Sequence, residues 1–214
     1  HNRTADGGIT VAAAGGGVAV ALDALMRERG GVWIAHGSGS ADRDVVDADD
    51  KVIVPPDRPT YSLRRLWIEE PAFSSYYGGF ANEGLWPLCH VVDVRPKFRS
   101  DDWRAYQDVN AQFARAVHEE LGDSDAPVFI QDYHLAIVAP ALRRLRPDVR
   151  TAIFWHIPWP YPDRLRICPW RREILQGMLG STILGFHTRF HCKNFIETVD
   201  RYLEARIEHE CARD

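Results

Sequence analysis

Three chemically capable side chains, an acid, a phenol and an imidazole, stand where a predicted strand turns into a predicted helix. Val128–Gln131 is typical of a buried strand and Leu135–Leu145 of a helix, and Asp132-Tyr133-His134 lies between them. Polar side chains at the carboxyl end of a strand in an α/β sheet are well placed to meet a ligand. Asp at a helix start can equally act as an N-cap that accepts backbone N–H groups. This stretch alone leaves both interpretations open.

Two later strands of the predicted sheet also end at a histidine. His156 follows the predicted strand Val149–Trp155, and His187 follows Thr182–Phe186. Strands that alternate with helices predict a parallel sheet covered by helices on both faces. Ligands of such sheets bind outside the carboxyl ends of the strands. Polar groups at three successive strand ends therefore favour a ligand site over helix caps.

A metal site is the alternative for the last of these histidines. His187 and His191 are four residues apart on a predicted helix, a spacing that suits two metal ligands. No third ligand stands at a suitable spacing and there is no H-E-x-x-H motif, so we expect no metal. After His156, Pro158 and Pro160 fix the backbone and hold the imidazole at the strand end.

Two features near the start of the chain could contact an anion. Gly15-Gly16-Gly17 lies just before a predicted helix, whose N-terminus favours an anion and whose glycines allow close approach. The run is not G-x-G-x-x-G and no strand is predicted before it, so a flexible loop is the alternative. The planar guanidinium of Arg3 suits a phosphate or a carboxylate, unless it is simply solvated.

The segment Tyr76–His90 combines aromatic side chains with glycines and an asparagine. Aromatic faces with polar edges suit the apolar C–H faces of sugar rings. An ordinary aromatic core cluster is the alternative. The segment lies within Pro71–Leu88, where the sequence predicts a mixture of helix and loop around Gly78-Gly79.

The elements that must position these residues can be predicted from periodicity and from turn residues. The clearest helix is Asp101–Leu121, with Ser100 or Asp101 as its cap. Its apolar side chains fall three or four apart on one face: Trp103, Tyr106, Val109, Phe113, Val117 and Leu121. Later helices are expected over Trp170–Leu179 and Thr188–Arg206.

The first third of the chain is less regular. We expect a loop over Asn2–Gly17 and a helix over Gly17–Arg29 that ends at Gly30-Gly31. Strands are then expected over three short apolar stretches: Val32–Ile34, Lys51–Pro55 and Ser62–Ile68.

Composition limits the classes of function. The 214 residues are 45% hydrophobic and 26% charged, which is typical of a globular protein. The net charge of -4 gives no electrostatic footprint for nucleic acid, and no apolar run has the length of a membrane span. The cysteines are scattered without a C-x-x-C pair, which indicates reduced thiols in a cytoplasmic protein.

Seven stretches in order along the chain resemble the trehalose-6-phosphate synthase family, a family of retaining glycosyltransferases. They are "NR" at Asn2, "GGGVAVALDAL" at Gly15, "YYGGFANEGLWPLCH" at Tyr76, "QDYHLAIVAPALRR" at Gln131, "HIPWP" at His156, "PWRREILQGMLG" at Pro169 and "LGFHT" at Leu184. The resemblance implies transfer of glucose from a nucleotide-glucose donor, UDP-glucose foremost, to glucose 6-phosphate, with no cofactor.

The resemblance also implies a two-domain fold of the GT-B type, with facing Rossmann-like halves and the active site between them. Residues 1–214 would be the acceptor-side N-terminal domain. The chain opens on His1 without a strand before it and stops at Asp214, so we expect a fragment that lacks the first strand and the C-terminal nucleotide-sugar domain.

Roles for individual residues follow from the same resemblance. Arg3, Tyr77 and Trp86 would hold glucose 6-phosphate, with Arg3 on the phosphate. Gly16 would lie near the donor diphosphate. Asp132 and His156 would be the catalytic residues, with Asp132 orienting the acceptor hydroxyl and His156 contacting the donor sugar. His134 would support the turn. No enzyme nucleophile is implied, because the leaving diphosphate takes the acceptor proton and the protein supplies placement and charge stabilisation.

Some positions depart from the family pattern. His36 stands where the family usually has a tryptophan that lines the acceptor pocket, and the residues around His156 and His187 differ as well. A glucosylglycerol-phosphate synthase that uses glycerol 3-phosphate is therefore the alternative acceptor assignment. A non-catalytic sugar-phosphate sensor is another alternative, whereas a nicotinamide oxidoreductase lacks its fingerprint. The sequence leaves the donor nucleotide and any homo-oligomer open.

Overall fold

The computed structural model describes residues 1–11 and 16–208. The chain forms two compact units, His1–Ile68 and Glu69–Asp214. Both contain helices and at least one pair of parallel strands, which confirms the predicted α/β class. Gly15 of the glycine run and Cys211 lie outside the described residues.

The first unit opens with a hairpin rather than the predicted loop. Asn2–Arg3 (β1) pairs antiparallel with Ile9–Thr10 (β2), and Gly7 takes a φ of 87° in the turn between them. The expectations of a loop over Asn2–Gly17 and of no strand before the glycine run were therefore wrong. Strands this short carry too little alternation to be recognised, and a glycine-dependent turn closes them.

A three-stranded sheet follows in the same unit, with the order β3-β5-β4. Its strands are Val32–His36 (β3), Lys51–Val54 (β4) and Tyr61–Leu66 (β5). β3 runs parallel to β5, and β4 runs antiparallel to it. All three strands lie within two residues of the predicted bounds, and the largest differences are at the ends of β3 and β5, which are His36 and Leu66.

Two helices complete the first unit. Gly17–Arg29 (α1) has the predicted bounds and ends at Gly30 and Gly31, which have φ values of 71° and 110°. Only glycine adopts such angles without strain, so this pair ends the helix as expected. A single turn, Asp42–Val45 (α2), lies between β3 and β4.

The second unit contains a fully parallel sheet with the order β6-β7-β8. Its strands are Val128–Gln131 (β6), Thr151–Trp155 (β7) and Ile183–Phe186 (β8). Gln131 pairs with Phe154, and Trp155 pairs with Phe186. The predicted alternation of strands and helices is confirmed, and the carboxyl ends of the three strands share one edge.

The helices of this unit lie before, between and after its strands. They are Glu70–Phe73 (α3), Trp86–His90 (α4), Ser100–Leu121 (α5), Val138–Leu145 (α6), Pro162–Leu165 (α7), Arg171–Leu179 (α8) and Arg189–Leu203 (α9). A 3₁₀ turn, Tyr133–Leu135, precedes α6. Within residues 1–11 and 16–208, no helix combines the length and the apolar character that a membrane span needs.

A π-helix over Ser74–Leu85 joins α3 to α4 without a break. The predicted mixture of helix and loop was therefore wrong for this segment. Gly79 lies inside the π-helix, where a Cβ atom would stand 2.5 Å from the Asp102 carboxyl group. The glycine thus serves the close approach of α5 rather than a turn.

The core of the second unit is built around α5. The predicted apolar face is confirmed, since Trp103, Tyr106, Val109, Phe113 and Leu121 are buried and Val117 is half-buried. The rings of Trp103 and Trp170 stack with centroids 5.2 Å apart, and Phe80 packs against both. The predicted cap was wrong, because the N-cap is Arg99 and no side chain caps the helix.

Candidate functional site

Asp132, His156 and His187 follow β6, β7 and β8 and lie at one edge of the parallel sheet. The Asp132 N–H donates to the Phe154 carbonyl at 2.8 Å, which extends the strand ladder by one residue. The rings of His156 and His187 are 5.4 Å apart, and both contact the Phe154 ring. The edge thus gathers the three polar positions that the sequence predicted there.

Asp132 has a backbone conformation that is rare for a residue with a side chain. Its φ is 68° and its ψ is 174°. Conformations of this kind cost about 1–3 kcal/mol and cluster at functional sites. Its Oδ1 accepts the N–H of Tyr133 at 2.8 Å and the N–H of His156 at 3.0 Å. The cap interpretation is therefore correct for Oδ1, whereas no described residue hydrogen-bonds Oδ2.

Helix α5 fixes the turn that follows Asp132 through two buried polar side chains. The Tyr106 hydroxyl donates to the Tyr133 carbonyl at 2.6 Å and accepts the Ala136 N–H at 3.0 Å. Asn110 donates through Nδ2 to the His134 carbonyl and accepts the Ile137 N–H at Oδ1. This role of Tyr106 and Asn110 was not predicted from the sequence. Its signal is a tyrosine and an asparagine four residues apart on one helix face.

The π-helix reaches the same turn through stacked rings. Tyr77 stacks on His134 with centroids 5.0 Å apart and on Phe73 at 5.2 Å. The Tyr133 hydroxyl donates to Asn82 Oδ1 at 2.8 Å, a second link between the two segments. Stacking holds the Tyr77 ring in place, and its hydroxyl has no hydrogen-bond partner among the described residues. That hydroxyl is the group Tyr77 can offer to a ligand.

The two histidines near Asp132 are both held towards the neutral form. Burial lowers the pKa of His134 to about 4, although the Asp132 charge opposes the shift. Its Nε2 is buried and has no hydrogen-bond partner among the described residues. Burial also lowers the pKa of His156, again against the charge of Asp132, and His187 lowers it further. Neutral imidazoles can accept a hydrogen bond at one nitrogen.

The His156 ring is also tied to the strand before Asp132. Its Nε2 lies 2.9 Å from Gln131 Oε1, while no described residue contacts its Nδ1 by a hydrogen bond. Consecutive residues therefore hold His156, because Gln131 binds its ring and Asp132 binds its backbone N–H. No role was predicted for Gln131 from the sequence, because no spacing rule identifies a contact of this kind.

Trp86 begins α4, directly after the π-helix. It stacks on His90 with centroids 4.1 Å apart and is 41% exposed. The indole borders a surface pocket, which is further lined by Asn82, Glu83, Pro87, Val94, Arg95 and Lys97. Asn82 connects this pocket to the turn that carries Tyr133.

Arg3 and Gly16 belong to the first unit. Arg3 is half-exposed and donates from Nη2 to Asp44 Oδ2 at 2.8 Å. Gly16 is the N-cap of α1, which has no acid in its first turn, and none of the residues that the structure describes lies within 4 Å of where its Cβ would be. An open backbone at a helix N-terminus of this kind can take an anion.

Two further predicted positions have structural partners. His36 Nδ1 lies 3.2 Å from the Leu66 carbonyl, which orients its ring. His191 Nδ1 accepts the Trp159 N–H at 3.2 Å, which occupies one nitrogen of the pair considered as metal ligands. In the part of the chain that the structure describes, no three His, Cys, Asp or Glu side chains gather as metal ligands.

The chain is similar to known proteins over nearly its whole length. It is 38% identical over 196 residues to the trehalose-6-phosphate synthase of Mycobacterium ulcerans, which covers 92% of this chain and 38% of that protein. An α,α-trehalose-phosphate synthase (UDP-forming) from Burkholderia xenovorans in complex with glucose-6-phosphate superimposes with a TM-score of 0.75. The match has 28% identity and covers 88% of this chain and 40% of that one.

A second solved structure, from E. coli and bound with UDP-2-fluoro glucose, matches with a TM-score of 0.77 and 26% identity. The superposition covers 95% of this chain and 43% of the E. coli chain. The chain thus spans about two fifths of the length of the relatives it matches. The sequence profile of glycosyltransferase family 20 matches residues 2–213, which is almost the entire chain. The chain therefore belongs to glycosyltransferase family 20.

Proposed function

We propose that this chain forms the acceptor-side, N-terminal domain of a retaining glycosyltransferase that moves glucose from UDP-glucose to glucose 6-phosphate and so makes trehalose 6-phosphate. The observation that carries the proposal is the strained Asp132. Its Oδ1 is fixed by two backbone N–H groups, and its Oδ2 is left for a ligand. Strain of this kind at a strand end is expected where a group must face a reacting molecule.

The acceptor contacts in this proposal are the three residues that the family resemblance assigns to glucose 6-phosphate. Tyr77 offers a hydroxyl on a stacked ring, and Trp86 offers an exposed indole. Arg3 would bind the phosphate in place of its ion pair with Asp44. The Burkholderia xenovorans relative, solved with glucose-6-phosphate, supports this acceptor.

The chemistry assigned to the chain is placement. Asp132 Oδ2 would accept a hydrogen bond from the attacking hydroxyl of the acceptor and so orient it. Neutral His156 would contact the donor sugar. The leaving diphosphate takes the acceptor proton on the same face of the sugar. Gly16, at the open N-terminus of α1, would lie near that diphosphate. Further cations that neutralise the diphosphate would belong to a C-terminal nucleotide-sugar domain.

The proposal places the protein in the cytoplasm and leaves homo-oligomers open. Cys89, Cys168 and Cys192 are free thiols, which suits a reducing compartment. UDP is the proposed donor nucleotide, in line with the UDP-forming Burkholderia relative.

Glycerol 3-phosphate is the alternative acceptor, because His36 replaces the tryptophan expected in the acceptor pocket. Its ring is tied to the Leu66 carbonyl and offers less apolar surface than an indole. A smaller acceptor would need less of that surface.

A chimera tests the proposed function. This chain would replace the matching 38% of the Mycobacterium ulcerans relative, and transfer from UDP-glucose would be measured with each acceptor. We expect trehalose 6-phosphate with glucose 6-phosphate, and weak binding of glucose 6-phosphate without turnover by the 214-residue chain alone. Faster transfer to glycerol 3-phosphate than to glucose 6-phosphate would make glycerol 3-phosphate the acceptor. If a folded chimera transferred glucose to neither acceptor, the non-catalytic sugar-phosphate sensor would be the remaining interpretation of the chain's function.

A further inference from the structure

The contact between Gln131 and His156 has a consequence for the protonation of the imidazole. Gln131 Oε1 lies 2.9 Å from His156 Nε2. In this orientation of the amide, the carbonyl oxygen accepts and His156 Nε2 carries the proton. Because burial lowers the pKa of the ring, a second proton on Nδ1 is disfavoured near neutral pH. No described residue hydrogen-bonds Nδ1.

We propose that Gln131 is a positioning residue that fixes His156 as the Nε2–H tautomer and leaves the Nδ1 lone pair as an acceptor for a sugar hydroxyl. The tautomer assignment stands on the contact itself. The hydroxyl that Nδ1 would meet rests on the proposed function, because it belongs to the donor sugar. A histidine nitrogen is commonly assigned its role by the partner of the opposite nitrogen.

The geometry around Gln131 suits this role. Gln131 ends β6 opposite Phe154 of β7, whose ring contacts the His156 ring at a centroid distance of 4.7 Å. Asp132, the next residue, binds the His156 backbone N–H at 3.0 Å. Ring and backbone of His156 are thus held from adjacent residues of one strand end, so the ring cannot turn without breaking one of these contacts.

One side-chain atom of Gln131 is left unsatisfied in this arrangement. Its Nε2 is buried and has no hydrogen-bond partner among the described residues. Buried donors of this kind are uncommon in native proteins and call for an explanation. Turning the amide over would pair Nε2 with the imidazole and move the His156 proton to Nδ1. The orientation of this single amide therefore decides whether His156 accepts or donates towards a ligand.

Nitrogen NMR of the 214-residue chain tests the tautomer without any substrate. Histidine labelled with ¹⁵N distinguishes protonated from unprotonated ring nitrogens, and His156→Asn identifies the signals of this residue. We expect a protonated Nε2 and an unprotonated Nδ1 in the unsubstituted chain at pH 7.5. A protonated Nδ1 would overturn the proposal, because it would mean that Gln131 donates.

Two substitutions of Gln131 sharpen the measurement. Gln131→Glu offers only acceptor oxygens, so it should keep the Nε2–H tautomer. Its negative charge should raise the pKa of His156, in the same direction as Asp132 and against His187. Gln131→Leu should give a mixture of tautomers, with both nitrogens at intermediate shifts. An unchanged His156 spectrum in Gln131→Leu would also overturn the proposal. Should the leucine variant fail to fold, the unsubstituted chain and Gln131→Glu still decide. Gln107→Glu on the exposed face of α5 controls for added charge.

The chimera with the Mycobacterium relative separates this proposal from the proposed function. In an active chimera, Gln131→Leu should lower kcat about tenfold while KM for glucose 6-phosphate stays unchanged. A KM effect alone would assign Gln131 to acceptor binding and overturn the positioning role. An inactive unsubstituted chimera would count against the proposed function, whereas the NMR result would still decide the tautomer.

Discussion

The strand-end site of the second unit and the anion-binding candidates of the first unit are built in opposite ways. Hydrogen bonds reach Asp132 at its backbone N–H, at its carbonyl and twice at Oδ1. Arg3 is half-exposed and its side chain pairs with Asp44, and no other described residue approaches the Cβ position of Gly16 within 4 Å. Under the proposed function, the group that orients the reacting atoms is held before a ligand arrives, whereas the groups proposed for the phosphates would be ordered by the phosphates themselves.

The largest expected effect breaks the rigid side of this comparison. In the active chimera, Asp132→Asn should lower turnover at least about a hundredfold, because an amide loses the charge that orients the acceptor hydroxyl. The melting temperature should barely move, since the asparagine oxygen can still accept the N–H groups of Tyr133 and His156. Near-normal turnover in a folded variant would leave Asp132 with its capping role alone.

A pH titration measures how strongly the fold holds His134 neutral. The pKa of His134 in the folded chain, about 4, lies below its ordinary value of 6.5. Its contribution to stability is complete above pH 6.5 and is lost as the pH falls towards 4, because the unfolded chain then binds the extra proton. We expect the free energy of unfolding to fall by about 2 kcal/mol over this window, with some of the shift discounted for partial exposure.

His134→Phe is the matched control for that titration. Phenylalanine keeps a ring against Tyr77 but cannot bind a proton. Denaturant unfolding of both proteins from pH 7.5 to pH 4 would give the difference in slope. Equal slopes would show that His134 titrates normally.

The close approach of α5 to the π-helix gives an effect of similar or slightly smaller size. Gly79→Ala should destabilise the chain by about 2 kcal/mol, because its Cβ would stand 2.5 Å from the Asp102 carboxyl group. Gly78→Ala is the control, since its nearest neighbour would be Ser74 Oγ at 4.0 Å. Denaturant midpoints compare the two variants, and equal losses would refute a steric role for Gly79.

The smallest effect is expected on the open side of the comparison. Arg3→Ala in the chimera should weaken the binding of glucose 6-phosphate about tenfold, as expected for the loss of one charge-assisted contact to a phosphate. The KM for UDP-glucose should stay within a factor of two. Asp44→Asn, which removes the competing partner of Arg3, should strengthen phosphate binding slightly. Equal losses for both substrates in Arg3→Ala would remove Arg3 from the phosphate site.

Predictability from the sequence followed the length and periodicity of each element. The long amphipathic helix α5 and the strands β6, β7 and β8 were predicted to within a few residues. The apolar pattern of α5 repeats over several helical turns, and the three strands stand out as apolar stretches between predicted helices. The π-helix was missed, since Gly78 and Gly79 imitate a turn while Gly79 serves packing. The short hairpin at Asn2–Arg3 was missed because four paired residues carry almost no pattern.

The positions of the candidate-site residues could be predicted from the sequence, but the contacts that hold them in place could not. Polar residues at strand ends identified Asp132 and His156, and topology placed them at one edge. Their supporting contacts depend on side chains from elsewhere in the chain, such as Tyr106 and Asn110 on α5. Contacts between residues more than twenty positions apart leave no local trace. The strain at Asp132 is equally invisible in sequence, because aspartate rarely adopts a positive φ.

The stacked rings of Trp103 and Trp170 give the protein an internal optical probe. Two indoles 5.2 Å apart and nearly parallel, with an interplanar angle of 11°, couple their electronic transitions. Near-ultraviolet circular dichroism should therefore contain a paired signal that disappears once α5 and the start of α8 separate. Trp86 is 41% exposed and its fluorescence should respond to a collisional quencher instead. Events at the surface around Trp86 and in the core could then be followed in one unlabelled sample.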